Sequence, residues 1–374
     1  MSEQLKFAHY MLKEIYENPA AVRDTISPRV APDGRIQFEG LRISEDELRN
    51  IKQIHILASG TSRHAGLAGK IMIQELAGVH VDVDYASEFQ YSNLKTSSHE
   101  LTIVITQSGE TADTIAAMKA AASNGSKTIA IVNVADSAIA KNADSVIVTH
   151  AGPEIAIAST KAFTAQLAVL FLFAIYLGEL RGTLTREETR HHVDGLMTLP
   201  ATLEQTLNCN PVCEKLAEKF SMANDFLFLG RSVHHSAALD GALKLKEVSY
   251  IHAEAYPTGE LKHGPYALID AMMPIVCIAT RDPNDPYSQA RYKISLQHMR
   301  DIKARSGRII AVAVEGCDEV LDITKDTIFV PGAPEMLLPM IEIVPLQLLA
   351  YHIALQRGLN VDRPRNLVKS VTEQ

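Results

Sequence analysis

The sequence predicts an α/β protein made of two tandem doubly wound parallel-sheet domains, with an N-terminal helix and a C-terminal loop tail. Three observations predict it. From Ile51 onward, short apolar runs end in small polar residues and a helical stretch follows each. The same order returns in the second half of the chain. The opening helix and the proline-bearing end stand outside the pattern. Strands alternating with helices of this length make βαβ units and a mainly parallel sheet.

Taken in order, residues 5–25 carry Leu5, Met11, Leu12, Ile15 and Tyr16 at helical spacing. Pro19, Pro28 and Pro32 then break the chain into a connector. The run Ile54–Ala58 is a strand, and a helix follows it to about Leu76. Val79–Val83 and Leu101–Ile105 are strands, and the latter leads to a helix over 112–124. Thr128–Val132 and Ser145–Val148 complete the first set. In the second half, Phe226–Leu229 leads to a helix ending near Glu247, and Pro274–Ala279 and Arg308–Val314 match later strands. At an offset of 170, Gly60-Thr61-Ser62-Arg63-His64 stands against Gly230-Arg231-Ser232-Val233-His234. Two copies of one doubly wound domain explain the repeat. The boundary falls near a polar helix over 185–215. The expected organisation is helix and connector over 1–45, a first domain over 46–195, a second over 196–358 and a tail over 359–374.

Composition narrows the function. Of 374 residues, 47% are apolar and 21% charged, which fits a soluble globular protein. A net charge of −8 argues against nucleic acid as partner, because phosphate backbones select basic surfaces. It leaves room for a local anion site. The cysteines Cys209, Cys213, Cys277 and Cys317 form no CxxC and read as thiols of a reducing cytoplasm. The charged N-terminus is unlike a signal peptide. Ala165–Leu180 falls short of the ~20 apolar residues of a membrane span. It reads as a buried helix of a cytoplasmic protein with no membrane partner.

Five segments carry chemistry. Ser59-Gly60-Thr61-Ser62 places hydroxyls where a strand hands over to a helix, and backbone amides and the helix dipole converge there. For one such loop alone, simple N-capping is the better explanation. Thr106-Gln107-Ser108-Gly109-Glu110-Thr111 exceeds what a cap requires. Two such loops at strand carboxyl ends favour a shared phosphate site. Ser159 and Thr160 precede the apolar helix, where capping would also explain them. Lys244 and Glu247 are three apart on one helix face in apolar surroundings, and a carboxylate so placed is suited to moving protons on carbon. His263 lies between glycines in a loop that can reach a ligand. A tail lysine such as Lys369 can form a Schiff base with a carbonyl if an apolar pocket receives it. Neither GxGxxG nor GxxxxGK[ST] is present, so nucleotide sites are disfavoured and no cofactor is expected. No metal site is expected either. His191-His192 and His234-His235 lack acidic or thiolate partners at ligand spacing and read as exposed.

Together these segments resemble a known family. Ala58-Ser-Gly-Thr-Ser, Gln107-Ser-Gly-Glu-Thr-Ala-Asp-Thr, Ala158-Ser-Thr-Lys-Ala-Phe, Lys244-Leu-Lys-Glu, Gly259-Glu-Leu-Lys-His-Gly-Pro and Asp362-Arg-Pro-Arg-Asn-Leu-Val-Lys look like the isomerase region of glucosamine-6-phosphate synthases. That region is a double sugar isomerase (SIS) domain, and the match runs in order through nearly the whole chain. The resemblance implies that Ser62, Thr106, Gln107, Ser108 and Thr111 hold a sugar phosphate, with Thr61, Ile157 and Ser159 along the sugar. It implies that Glu247 shuttles a proton between C1 and C2, that Lys244 orients it, and that Lys369 forms a Schiff base with the ketose. His263, supplied by a neighbouring subunit of a homodimer or larger homo-oligomer, would open the ring. The implied partners are fructose-6-phosphate, glucosamine-6-phosphate and ammonia.

Departures from the family pattern are Ser59 for Cys, Thr106 for Ser, Asp240 for Glu, Ile157 for Val, and an altered end beyond Lys369. Family members carry an N-terminal glutaminase domain whose cysteine follows the initiator methionine. Ser2 stands there, so this chain is expected not to hydrolyse glutamine: it is either an excised isomerase domain or a stand-alone form that draws on free ammonia or a separate glutaminase. Three alternatives remain: a catabolic glucosamine-6-phosphate deaminase, a plain isomerase of fructose-6-phosphate and glucose-6-phosphate that needs Glu247 and His263 but no amine, and a non-catalytic phosphosugar sensor.

Overall fold

The computed structural model describes residues 7–92 and 97–373. The chain forms two compact units. One comprises Ala20–Glu154, Lys161–Thr198 and the tail from Val368. The other comprises the segment up to Pro19, Ile155–Thr160 and Leu199–Leu367.

The N-terminal region is two helices, Tyr10–Tyr16 and Asn18–Ile26, rather than one. Pro19 does not start the connector. It sits in the first turn of the second helix, where a missing N–H costs nothing. Leu5 lies outside the described residues.

The first unit holds five strands: β1 Gln53–Ala58, β2 His80–Tyr85, β3 Glu100–Thr106, β4 Lys127–Val132 and β5 Ser145–Val148. All pair in parallel in the order β2-β1-β3-β4-β5. Alternate side chains face opposite layers. Ile56 meets Gly66 of the helix Gly60–Ala77. Leu57 joins Val104, Ala117, Met118 and Ala130 on the face of the helix Ala112–Ser123. Both faces are covered, so β1, β3 and β4 are apolar almost throughout, as buried parallel strands must be. The helix Lys161–Arg181 is buried on nearly every face. It is long and apolar enough to cross a membrane, yet 83% of its most apolar stretch is buried.

The second unit repeats the plan with β6 Asp225–Gly230, β7 His252–Pro257, β8 Pro274–Ala279, β9 Arg308–Val314 and β10 Thr327–Val330. The order is β10-β9-β8-β6-β7, again parallel. β7 and β10 escape the sequence pattern. β7 is a half-exposed, polar edge strand, and β10 has four residues. The helix Leu338–Gln356 is the counterpart of Lys161–Arg181 and is likewise buried. The expected helix over 185–215 is two, Arg186–Thr206 and Asn210–Phe220, with Pro211 at the start of the second.

The offset of 170 needs correcting. Gly60 opens its helix, whereas Gly230 ends β6 and the next helix begins at His234. The turn between is tight: Ser232 has φ +51°, and a Cβ on Gly230 would stand 2.5 Å from the His234 carbonyl oxygen.

Ile155–Thr160 joins the second unit because buried polar groups hold it there. The Glu14 carboxylate accepts from the Ile155 and Ala156 amides. Gln347 Nε2 donates to the Thr160 carbonyl at 3.2 Å. Asp362 caps the opening helix in place of the N-cap residue His9, which makes no capping bond. Its carboxylate accepts from Tyr10 N at 3.0 Å and Met11 N at 2.8 Å. Asp362→Ala is expected to destabilise this unit by about 1–2 kcal/mol, the cost of a lost cap, measured by urea unfolding.

Candidate active site

β1 and β3 flank the point where the first sheet's strand order reverses, the usual place for a ligand in an open α/β sheet. Their carboxyl ends feed the helices Gly60–Ala77 and Ala112–Ser123. Ser59 and Thr111 occupy the N-cap positions, and neither side chain makes a capping bond. Capping therefore does not account for these hydroxyls. Thr106 Oγ1 and Thr111 Oγ1 instead lie 3.0 Å apart. Thr61 and Ser62 are buried in the first helical turn, where Ser62 Oγ accepts from Gln166 Nε2 at 3.0 Å.

The loop 107–111 is braced from the segment 133–139. Asn133 N donates to Gln107 O at 3.0 Å and Ile139 N to Gly109 O at 3.0 Å. Ala138 N donates to Glu110 Oε1 at 2.8 Å. Glu110 N turns back to Ser108 Oγ at 3.2 Å. Gly109 has φ +71°, and a Cβ there would stand 2.0 Å from Ser137 Oγ. Hydroxyls and amides fixed at a helix N-terminus suit a phosphate dianion. The tail adds a cation to this unit: Lys369 Nζ is 2.7 Å from Glu154 Oε2. Two residues on, Val371 O accepts from Ala112 N at 3.1 Å. A separate hollow of about 480 Å³ along β5, lined by Arg29, Phe38, Arg42, Val146 and His150 among others, includes none of these loop residues.

In the second unit, Lys244 and Glu247 lie on the helix His234–Ser249 with Nζ and Oε2 at 2.5 Å. The Lys244 side chain is wholly buried and that of Glu247 is 22% exposed, so this is not a solvated surface pair. Ile157 N donates to Asp362 O at 3.1 Å, and Ser159 is half-buried beside it in sequence. His263 is exposed at the end of the turn Thr258–His263, before Gly264 at φ +137°. Thr61, Ser62, Thr106, Gln107, Ser108, Thr111 and Lys369 thus belong to the first unit. Ile157, Ser159, Lys244, Glu247 and His263 belong to the second.

The second sheet's reversal point, between β6 and β8, is filled by side chains. His234 was expected to be exposed and without acidic partners; it is buried between two carboxylates. Its Nδ1 is 2.7 Å from Glu342 and its Nε2 2.8 Å from Glu335. Both partners come from about a hundred residues away, beyond any local spacing rule. Ser288 and Arg291 also donate to Glu335, and Thr280 to Glu342. Burial alone would lower the His234 pKa. The Glu342 charge and the bonds to both carboxylates outweigh it and hold His234 up at about 10. Burial would raise Glu335, but the His234 bond and charge, Ser288 and Arg291 hold it at about 2.

Sequence reasoning assigned no role to Glu154, Gln166, Glu14, Glu342 or Gln347. The usable signal was a polar side chain inside an apolar helix, as with Gln166 in Lys161–Arg181 and Glu342 and Gln347 in Leu338–Gln356. All four cysteines are buried free thiols.

The SIS domain profile matches residues 47–176 and 219–357. The chain is 47% identical over 98% of its length to a glutamine–fructose-6-phosphate aminotransferase (isomerizing) of Chlorobaculum tepidum. It covers 58% of that protein, so it spans about three fifths of the length of the curated relatives it matches. The C-terminal domain of a glucosamine-fructose-6-phosphate aminotransferase from Francisella tularensis superposes with a TM-score of 0.90 at 37% identity, covering 97% of this chain and 100% of that one. A glucosamine-6-phosphate deaminase of Thermotoga maritima shares the fold, at TM-score 0.72 and 21% identity over 97% of this chain and 99% of that one.

The His234 network generates a prediction. A raised histidine pKa contributes stability in full below its ordinary value of 6.5, and loses it as pH rises toward about 10. A depressed carboxylate pKa contributes above its ordinary 4.5, and loses it as pH falls toward about 2. The second unit should therefore be most stable between about pH 4.5 and 6.5 and weaken progressively above that range. His234→Ala should cost about 3–5 kcal/mol at pH 6, because it takes the cation from buried Glu342 and leaves Glu335 to Arg291, and should flatten the alkaline slope. Urea unfolding at several pH values checks both.

Proposed function

Because the chain belongs to the SIS domain family, we propose that it is a phosphosugar aldose–ketose isomerase interconverting fructose-6-phosphate plus ammonia and glucosamine-6-phosphate. The observation that carries the reading is Glu247, a partly exposed carboxylate fixed by a wholly buried Lys244. Moving a proton between adjacent carbons needs one base held over both, in water-poor surroundings. The names of the Chlorobaculum and Francisella relatives support the same substrate.

In this reading the 59–62 and 106–111 loops bind the phosphate, and the sugar lies along Thr61, Ile157 and Ser159. His263 of a neighbouring subunit opens the ring, so the working form is a cytoplasmic homodimer or larger homo-oligomer. The neutral Lys369 amine bonds to C2, and the carbonyl oxygen leaves as water to give an imine. Ammonia then adds at C2 and the lysine leaves, giving the ketose imine. Glu247 removes a proton from C1, forming an enolamine, and returns a proton to C2. Loss of the C1 hydroxyl proton leaves the C1 aldehyde and the C2 amine of glucosamine-6-phosphate. Lys244, paired with Glu247, orients it.

Hydrogen exchange between solvent deuterium and the C1 or C2 positions, followed by NMR, tests the central step. Glu247→Gln is expected to cut exchange by roughly 100-fold or more, the usual worth of a general base, while phosphosugar binding persists. Exchange near the wild-type rate in this variant would remove Glu247 from the chemistry.

A further inference from the structure

Glu154 has no place in the steps above, yet its setting is specific. Its side chain is 1% exposed and pairs with Lys369. Its other oxygen, Oε1, accepts from Ala162 N at 3.2 Å, in the first turn of the helix Lys161–Arg181. A helix N-terminus favours a carboxylate, but a buried carboxylate still requires cationic company. Lys369 supplies such company from a chain segment 215 residues away. The Val371–Ala112 bond ties the same segment two residues further on. The tail is therefore fastened by its backbone at Val371 and by its charge at Lys369. Ala112 opens the helix that follows the 106–111 loop, so both ties bring the lysine to the unit that holds the phosphate loops.

We propose that Glu154 is the positioning residue of the Schiff-base lysine: it seats the Lys369 amine and takes the proton that the amine must shed before it can attack a carbonyl. This rests on the reading of Lys369 as the imine-forming group. The step balances. The Lys369 ammonium passes one proton to Glu154 Oε2, and the freed nitrogen lone pair bonds to C2 as the carbonyl π electrons move to oxygen. The carbinolamine oxygen then takes two protons, one from Glu154 and one from nitrogen, and departs as water. The products are a protonated imine and an ionised Glu154, ready for the reverse transfer when the lysine is released.

The test is borohydride trapping with fructose-6-phosphate in the absence of ammonia, read by intact mass. The wild-type chain is expected to gain one reduced sugar-phosphate adduct at Lys369, and Lys369→Ala none. Glu154→Gln keeps the shape but not the charge. At saturating sugar it is expected to trap roughly 100-fold more slowly, the scale of a misplaced reacting group, with phosphosugar affinity retained. Glu154→Asp, which keeps the charge on a shorter arm, should fall between the two. A merely structural glutamate would lower thermal stability and sugar affinity yet leave trapping at saturation unchanged. Wild-type trapping rates in Glu154→Gln overturn the proposal for Glu154 while leaving the imine intact. A wild-type chain that forms no adduct overturns the imine reading and this inference together.

Discussion

The contact that everything at the first sheet depends on is the approach of Gly109 to Ser137. There is no space for a Cβ between them, and the backbone at Gly109 is left-handed. Only glycine satisfies both conditions without strain. That closeness lets the segment 133–139 hydrogen-bond the loop 107–111 at three places. Once the loop is fixed, the hydroxyls of Thr106, Ser108 and Thr111 have set positions before any ligand arrives. The same helix start, at Ala112, also ties the tail through Val371. A shift of that loop would disturb the proposed phosphate site and the lysine-bearing tail at once.

The two sheets show one topology used in two ways. In each, the strand order reverses beside the first strand, and a helix starts just past that strand's carboxyl end. In the first unit that place is lined by small hydroxyls whose capping duty is not exercised. In the second, His234, Glu335, Glu342, Thr280 and Ser288 hydrogen-bond one another there. A fold of this kind offers a ligand site at every reversal point. Side-chain chemistry decides whether the site binds or becomes part of the core.

Much of this was legible in the sequence. β8 and β9 coincide with the apolar runs, because parallel strands covered on both faces must be apolar almost without interruption, and the edge strand β5 matches its run although alternate residues are only half buried. The two hydroxyl loops stood out because they pack more polar atoms into a strand–helix turn than a cap uses. The losses share one cause: pairing across long chain separations. His234 read as exposed because Glu335 and Glu342 are about a hundred residues distant. Glu154 had no assigned role because Lys369 lies near the other end. β7 was hidden by edge exposure, and Pro19 was taken as a breaker although a first helical turn accepts it.

The most direct measurement is the formation of glucosamine-6-phosphate from fructose-6-phosphate and ammonium chloride, with the product separated from glucose-6-phosphate by mass. The account predicts steady formation of the amino sugar phosphate that disappears when ammonium is omitted. Glucose-6-phosphate alone, or sugar phosphate bound without turnover under any nitrogen supply, would contradict it.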